Sequence, residues 1–170
     1  VDVRGAGTPR SVDLKALKIA LGQGLIEAAG PVTWAPQPGG ALKGRIVRLD
    51  PALVAPAWPG DLNGDFSIDG VLAEGQAPAL HFVLKLAESR LRNYPFKLDL
   101  EGRYADTALD IDRLDLASGS STLQLSGRAS APYDLQAQLS SPQLNELAPG
   151  LGGAAALPSV AARCSSIPNS

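Results

Sequence analysis

Between Ala79 and Leu139 an apolar residue stands at almost every second position: Leu80-Phe82-Leu84-Leu86, Phe96-Leu98-Leu100, Leu109-Ile111, Leu114-Leu116, Leu123-Leu125 and Leu135-Ala137-Leu139. A period of two places alternate side chains on opposite faces of a β-strand. The residues between them are mostly Lys, Asp, Glu, Arg, Gln and Ser, so one face is oily and the other belongs in water. No long amphipathic helix is written anywhere to cover the oily face, and what covers it is the functional question.

The 170 residues suffice for one large domain or two small ones. An apolar content of 45% with only 5% aromatic means Leu, Ala and Val, while 18 Gly and 14 Pro imply many turns and few helices. Net charge is −2 with neither sign gathered into a run, so nucleic acid and anionic membrane surfaces lack an electrostatic case. The single cysteine, Cys164, cannot form an intramolecular disulfide, and the Cys/His spacing of a structural zinc site is missing. No apolar run reaches the length of a membrane span, and Val1-Asp2-Val3-Arg4 shows neither a Met nor a signal-peptide pattern. The chain therefore reads as a piece of a longer one.

A unit recurs. Val12-x-Leu14-x-x-Leu17-x-Ile19 has the spacing of Leu109-x-Ile111-x-x-Leu114-x-Leu116, and both slip phase by one residue at the same place, as at a β-bulge or tight bend. Asp50-Pro51-Ala52-Leu53 leads to Trp58-Pro59-Gly60-Asp61-Leu62, and Ser141-Pro142-Gln143-Leu144 leads to Pro149-Gly150-Leu151. Asp50 and Ser141 before proline read as helix N-caps, each predicting a helix of one or two turns, stopped by Pro56 and Pro59 or by Pro149-Gly150. Strands are expected over 42–49, 61–71, 79–88, 94–104, 108–116, 121–129 and 133–140. Residues 1–153 thus form a single β-rich segment of about two units, with 12–70 and 109–153 similar. From Ala154 the alternation vanishes, and 154–170 reads as a disordered tail or an addition foreign to the natural chain.

Several features resemble sites and read more simply as structure. Asp61, Asn63, Asp65 and Asp69 have calcium-loop spacing, but Phe66 stands where that loop needs glycine and Leu72 where it needs a bidentate Glu, so a strand with solvated acids is expected and no metal or other cofactor. His81 is out of phase with the apolar set and belongs to the polar face; no second His or catalytic Cys accompanies it. Ser118-Gly119-Ser120-Ser121 lacks the strand-to-helix context of a nucleophile elbow and reads as a hairpin turn. Trp34 and Trp58 flank Pro-rich turns and are expected to pin the short helix against the sheet edge. Nothing argues for an enzyme.

The string from Leu135 through Pro142-Gln143-Leu144-Asn145-Glu146-Leu147 to Gly153 resembles a recurring phrase of the TamB family. So does Trp58-Pro59-Gly60-Asp61-Leu62-Asn63-Gly64-Asp65-Phe66, followed by Arg92-Asn93-Tyr94-Pro95-Phe96-Lys97-Leu98-Asp99-Leu100. The family is AsmA-like, of the bridge type in the Gram-negative envelope: inner-membrane-anchored by a single pass, spanning the periplasm and meeting an outer-membrane barrel, TamA. The resemblance implies an all-β fold, an elongated curved antiparallel sheet forming an open, taco-shaped apolar groove with one or two very short helices. The alternative is a closed β-sandwich, with which the periodicity agrees equally well.

It also implies a function in translocation and assembly at the envelope. The groove would shield phospholipid acyl chains passing between inner and outer membranes; the alternative is a scaffold for outer-membrane protein assembly, pairing strands with a client or a TamA-type barrel. The expected lining is Phe66, Ile68, Phe82, Leu84, Leu86, Phe96, Leu98, Leu100, Leu109, Ile111, Leu114, Leu116, Leu123, Leu125, Leu135 and Leu139. Such a groove, polar nowhere inside, would bind tails without fixing register. The open edges of the sheet would be free to self-associate.

Overall fold

The computed structural model describes residues 1–72, 78–148, 150 and 152–163. They form one antiparallel sheet whose eleven strands pair in sequence order: β1 (Asp2–Thr8), β2 (Ser11–Leu21), β3 (Gly24–Thr33), β4 (Gly39–Leu49), β5 (Gly60–Val71), β6 (Ala79–Leu91), β7 (Tyr94–Ala105), β8 (Ala108–Ser118), β9 (Ser121–Arg128), β10 (Asp134–Ser141) and β11 (Ala155–Arg163). Two 3₁₀ turns, Pro51–Leu53 and Leu144–Glu146, interrupt the meander. Two-residue connections join β6 to β7 and β7 to β8. Arg92, Asn93, Asp106 and Thr107 there all have positive φ, between 50° and 71°, as hairpin turns matching the strand twist require.

The sheet stays open. β1 and β11 pair on one side only, and the surface of 10840 Å² far exceeds the roughly 7,900 Å² of a compact chain of this mass. Among the described residues only Ala28, Leu86 and Phe96 are buried apolar side chains. Two packed layers would bury most of the inward leucines, so the closed sandwich is excluded.

The phase slips are bulges. β2 carries its extra residue at Lys15–Ala16 and β8 at Asp112–Arg113. Both lie in one row of the sheet, running from Ala29 through Lys43, Ser67, Val83 and Glu101 to Arg113. A second pair interrupts β4 at Val47–Arg48 and β6 at Ala87–Glu88, where Arg48 and Glu88 take positive φ. Each bulge bends its strand and strengthens the twist, so the bends recur along the sheet instead of concentrating in one hairpin.

The helical expectations need correction. Asp50 caps the first turn, its carboxylate accepting from the Ala52 N–H at 3.0 Å. Ser141 caps nothing: it ends β10, and the second turn begins after Gln143 without a side-chain cap. Each turn is a single 3₁₀ turn, because the chain must re-enter the sheet within a few residues. The loss of alternation after Ala154 does not end the sheet either: residues 155–163 pair with β10 as β11. An edge strand needs main-chain groups to pair, and β10 presents a free row of them. Pro149, Leu151 and Cys164 lie outside the described residues.

Candidate functional site

Cross-strand pairing carries single rows of side chains over nearly the whole sheet. One row runs Leu17, Ala28, Gly44, Phe66, Leu84, Leu100, Leu114, Leu125, Ala137. The next runs Ile19, Ile26, Ile46, Gly64, Leu86, Leu98, Leu116, Leu123, Leu139. A third connects Leu42, Ile68, Phe82, Gly102, Ile111, Gly127 and Leu135. Leu109 faces Tyr104, and Phe96 faces Ser118, on the same side. All sixteen residues expected to line the apolar face therefore share it. The face also extends to β2, β3 and β4 through Leu17, Ile19, Ile26, Leu42 and Ile46. Their alternation is as regular, but glycine and alanine dilute it across β3 to β5.

At about 4.8 Å per strand, the rows from β2 to β10 measure roughly 40 Å. Inward glycines let neighbouring side chains lie flat across them: a Cβ on Gly102 would meet the Phe82 ring at 2.7 Å, and one on Gly44 would strike the Phe66 ring. Rings folded over bare backbone keep the face continuous where side chains are missing.

The opposite face alternates in charge. Lys18, Glu27, Arg45, Asp65, Lys85 and Asp99 stand in one row, with ion pairs Lys18–Glu27 and Arg45–Asp65. Arg103 grips Asp112 through two nitrogens at 3.0 and 2.6 Å. Exposed pairs of this kind contribute little individually; in register they oppose a one-residue slip that would turn the charged row inward. His81 lies between Asp69 at 3.2 Å and Glu101 at 3.4 Å, and hydrogen bonds to those carboxylates push its pKa up. It belongs to the polar face, as its phase in the sequence implies.

One end of the apolar face is polar, contrary to the expectation of a face without polar groups. Ser89 and Ser118 flank Phe96, Ser121 faces Ser118, and Ser141 lies against Ser121 with the hydroxyl oxygens 2.8 Å apart. All four serines are buried. The second 3₁₀ turn lays the buried Glu146 over them. Its carboxylate accepts from Ser121 Oγ at 2.7 Å, from the Ser120 N–H at 2.9 Å and from Ser120 Oγ at 3.0 Å, while Ser118 Oγ donates to the Glu146 carbonyl at 2.8 Å. The Ser121 hydroxyl leads the hydrogen bonds that hold the Glu146 pKa below its ordinary value, against the opposing pull of desolvation. Gly119, with φ at 59°, admits the carboxylate because a Cβ there would lie 2.7 Å from it. On the same edge of the sheet the half-exposed Leu53 of the first turn reaches the β2–β3 turn, its methyls 3.5 and 3.6 Å from where a Gly22 Cβ would be.

A lowered carboxylate pKa stabilises the folded form above the unfolded-state value, and that contribution disappears as pH falls through the folded value. Acidification should therefore free the Leu144–Glu146 turn first. Limited proteolysis should show cleavage within 142–153 at acid pH before strand amides lose protection, and Glu146→Gln should be cleaved there already at neutral pH.

Trp34 differs from its expected role. It pins no helix; its indole N–H donates to the Pro9 carbonyl at 2.8 Å and ties the β3–β4 connection to the β1–β2 turn. Trp58 sits beside the first 3₁₀ turn with the Arg92 guanidinium 5.4 Å from its ring centroid. The calcium-like spacing of Asp61, Asn63, Asp65 and Asp69 lies within β5, an extended strand. Among the described residues no cluster of His, Cys, Asp or Glu could hold a metal ion, and no helix is long and apolar enough to cross a membrane.

One open antiparallel sheet with an apolar face, a charged back and, among the described residues, no second layer defines an open-sheet all-β protein. The family model "TamB, N-terminal domain" matches residues 1–159. The chain therefore belongs to the TamB family, whose members are transport and assembly components associated with the cell envelope. No curated protein and no solved structure matches it.

Proposed function

We propose that this segment shields phospholipid acyl chains along its apolar face and helps carry them through the periplasm between the inner and outer membranes, with no catalytic step. The observation that carries this reading is the uncovered apolar face. Its rows extend roughly 40 Å across the strands, which exceeds the roughly 30 Å hydrocarbon thickness of a bilayer. Leucine suits the task because dispersion contacts with a mobile tail need no hydrogen-bond geometry. Each acyl methylene taken from water contributes about 0.8 kcal/mol. As part of a longer, inner-membrane-anchored chain, the segment would deliver lipid toward an outer-membrane barrel of the TamA type.

Photoreactive side chains test the reading. At Leu100 and Leu116 they should cross-link to phospholipid, and at Asp99 and Asp115, on the charged back, they should not. Equal labelling of both pairs would sink it. The exposed edge strand β1 supports a second reading, a scaffold that pairs strands with a client or barrel by β-augmentation. Proline at Ala6 should abolish capture of such a partner without affecting lipid labelling.

A further inference from the structure

One arginine lacks what the others have. Arg45, Arg103, Arg113 and Arg128 each meet an aspartate on the charged back. Arg10 and Arg48, whose side chains pair with nothing among the described residues, are exposed and have water. Arg92, in the β6–β7 turn, is half-buried and meets no carboxylate among the described residues. Its guanidinium lies over Trp58, 5.4 Å from the ring centroid, with Nη1 buried and without an acceptor. Nε and Nη2 are not closed off in this way, and among the described residues they too have no acceptor. The acids at this end of the sheet are engaged elsewhere. Asp50 Oδ1 accepts from the Ala52 and Gly60 N–H groups, and Asp61 Oδ1 from Asn63 Nδ2. The Arg92 N–H donates to the Pro59 carbonyl at 2.7 Å, which fixes the turn beside the indole. The result is a cation held on one side by packing, with its Nε–Nη2 edge unclaimed.

We propose that the Arg92 guanidinium binds the phosphate of a glycerophospholipid whose tails lie on the apolar face. The proposal rests on the lipid reading of that face and adds a fixed place for the headgroup. A guanidinium stacked on an indole keeps its fork in one orientation, and its coplanar N–H groups match the unesterified oxygens of a phosphodiester. A cation partly withdrawn from water without an acceptor is unfavourable in the empty protein, and an anion on its open edge offsets that cost. The place suits an amphiphile. Leu91 and Tyr94 pair across the turn, two residues along from Ser89 and Phe96, and so belong to the apolar face. The Leu91 methyl lies 3.2 Å from where a Gly60 Cβ would be, on the same side of the sheet as Pro51. From Tyr94 the face continues along β7 to Leu100 for roughly 20 Å, which exceeds the roughly 15 Å of hydrocarbon in one leaflet of a bilayer. A phosphate at Arg92 therefore leaves its tails on Leu98 and Leu100.

Dioctanoylphosphatidylglycerol and dioctanoylglycerol carry the same tails and differ in the phosphate-bearing headgroup, so titration calorimetry with each separates the site from the face. Arg92→Gln should weaken binding of the phosphatidylglycerol at least about tenfold and leave the dioctanoylglycerol unchanged. Lys97→Gln, the same change of charge on the exposed back of β7, should affect neither. Arg92→Lys keeps the charge without the fork and should show the same selectivity with a smaller loss; it takes the place of the glutamine variant if circular dichroism shows that one unfolded. An Arg92→Gln protein that binds phosphatidylglycerol as the parent does, an equal fall for both ligands, or an equal effect of Lys97→Gln would overturn the phosphate site and leave the groove reading intact. Inorganic phosphate bound by the parent and lost in Arg92→Gln, with phosphatidylglycerol unaffected, would make Arg92 a free-anion site and overturn the lipid assignment. A parent protein that binds neither lipid would overturn the groove reading and the headgroup site with it.

Discussion

Leu116→Arg is expected to abolish phospholipid retention while leaving the sheet folded. Leu116 stands between Leu98 and Leu123 in the middle of the apolar face and is only half-buried. A long side chain there can bend its charge toward the open side of the sheet when the face is empty. With tails in place, the guanidinium sits in hydrocarbon at a cost of about 2.5–3.5 kcal/mol, or roughly a hundredfold in affinity. Native mass spectrometry after lipid extraction should show bound phospholipid in the parent protein and none in the variant. Gln124→Arg, one residue from Leu123 but on the charged back, should bind normally. A Leu116→Arg protein that keeps its lipid would place the tails elsewhere.

Phe96→Ala should produce the largest loss of stability of any single truncation on this face. Phe96 is 7% exposed, held between Ser89 and Ser118 at the polar end, whereas most inward leucines are half-open. Emptying such a site costs about 3–5 kcal/mol, a large share of the 5–15 kcal/mol that holds a typical domain together. Leu125→Ala, on a row open to solvent, should cost half of that or less, because its methyls are already partly in water. Urea denaturation of the two variants separates the cases. Equal losses would mean that Leu125 is covered as fully as Phe96.

The strands were legible because their period is unbroken on both faces. From β4 to β10 the expected boundaries fall within three residues of the observed ones. Even the phase slips at Lys15–Ala16 and Asp112–Arg113 could be read, since a bulge moves the apolar residue by one place and leaves that trace in the spacing. The serine end of the face could not be read. Ser118, Ser121 and Glu146 lie in a hairpin turn and a 3₁₀ turn far apart in the chain, and serine before glycine carries the same local signal whether its hydroxyl meets water or a buried carboxylate. The short-helix expectation at Ser141 failed because a Ser-Pro pair at a strand end resembles an N-cap, and only the pairing of β10 decides between them.

The sequence by itself determined which residues are strands, which side of each strand is oily, and that the other side is polar and charged, because all three follow from a period of two along the chain; the alternation of sign across that side came only with the register of the paired strands. Only the tertiary structure decided that the oily side is left open. A period of two is the same in a strand whose face meets another sheet and in one whose face meets nothing. The difference lies in whether the two ends of the sheet, β1 and β11, find each other or a second layer, and here they do not.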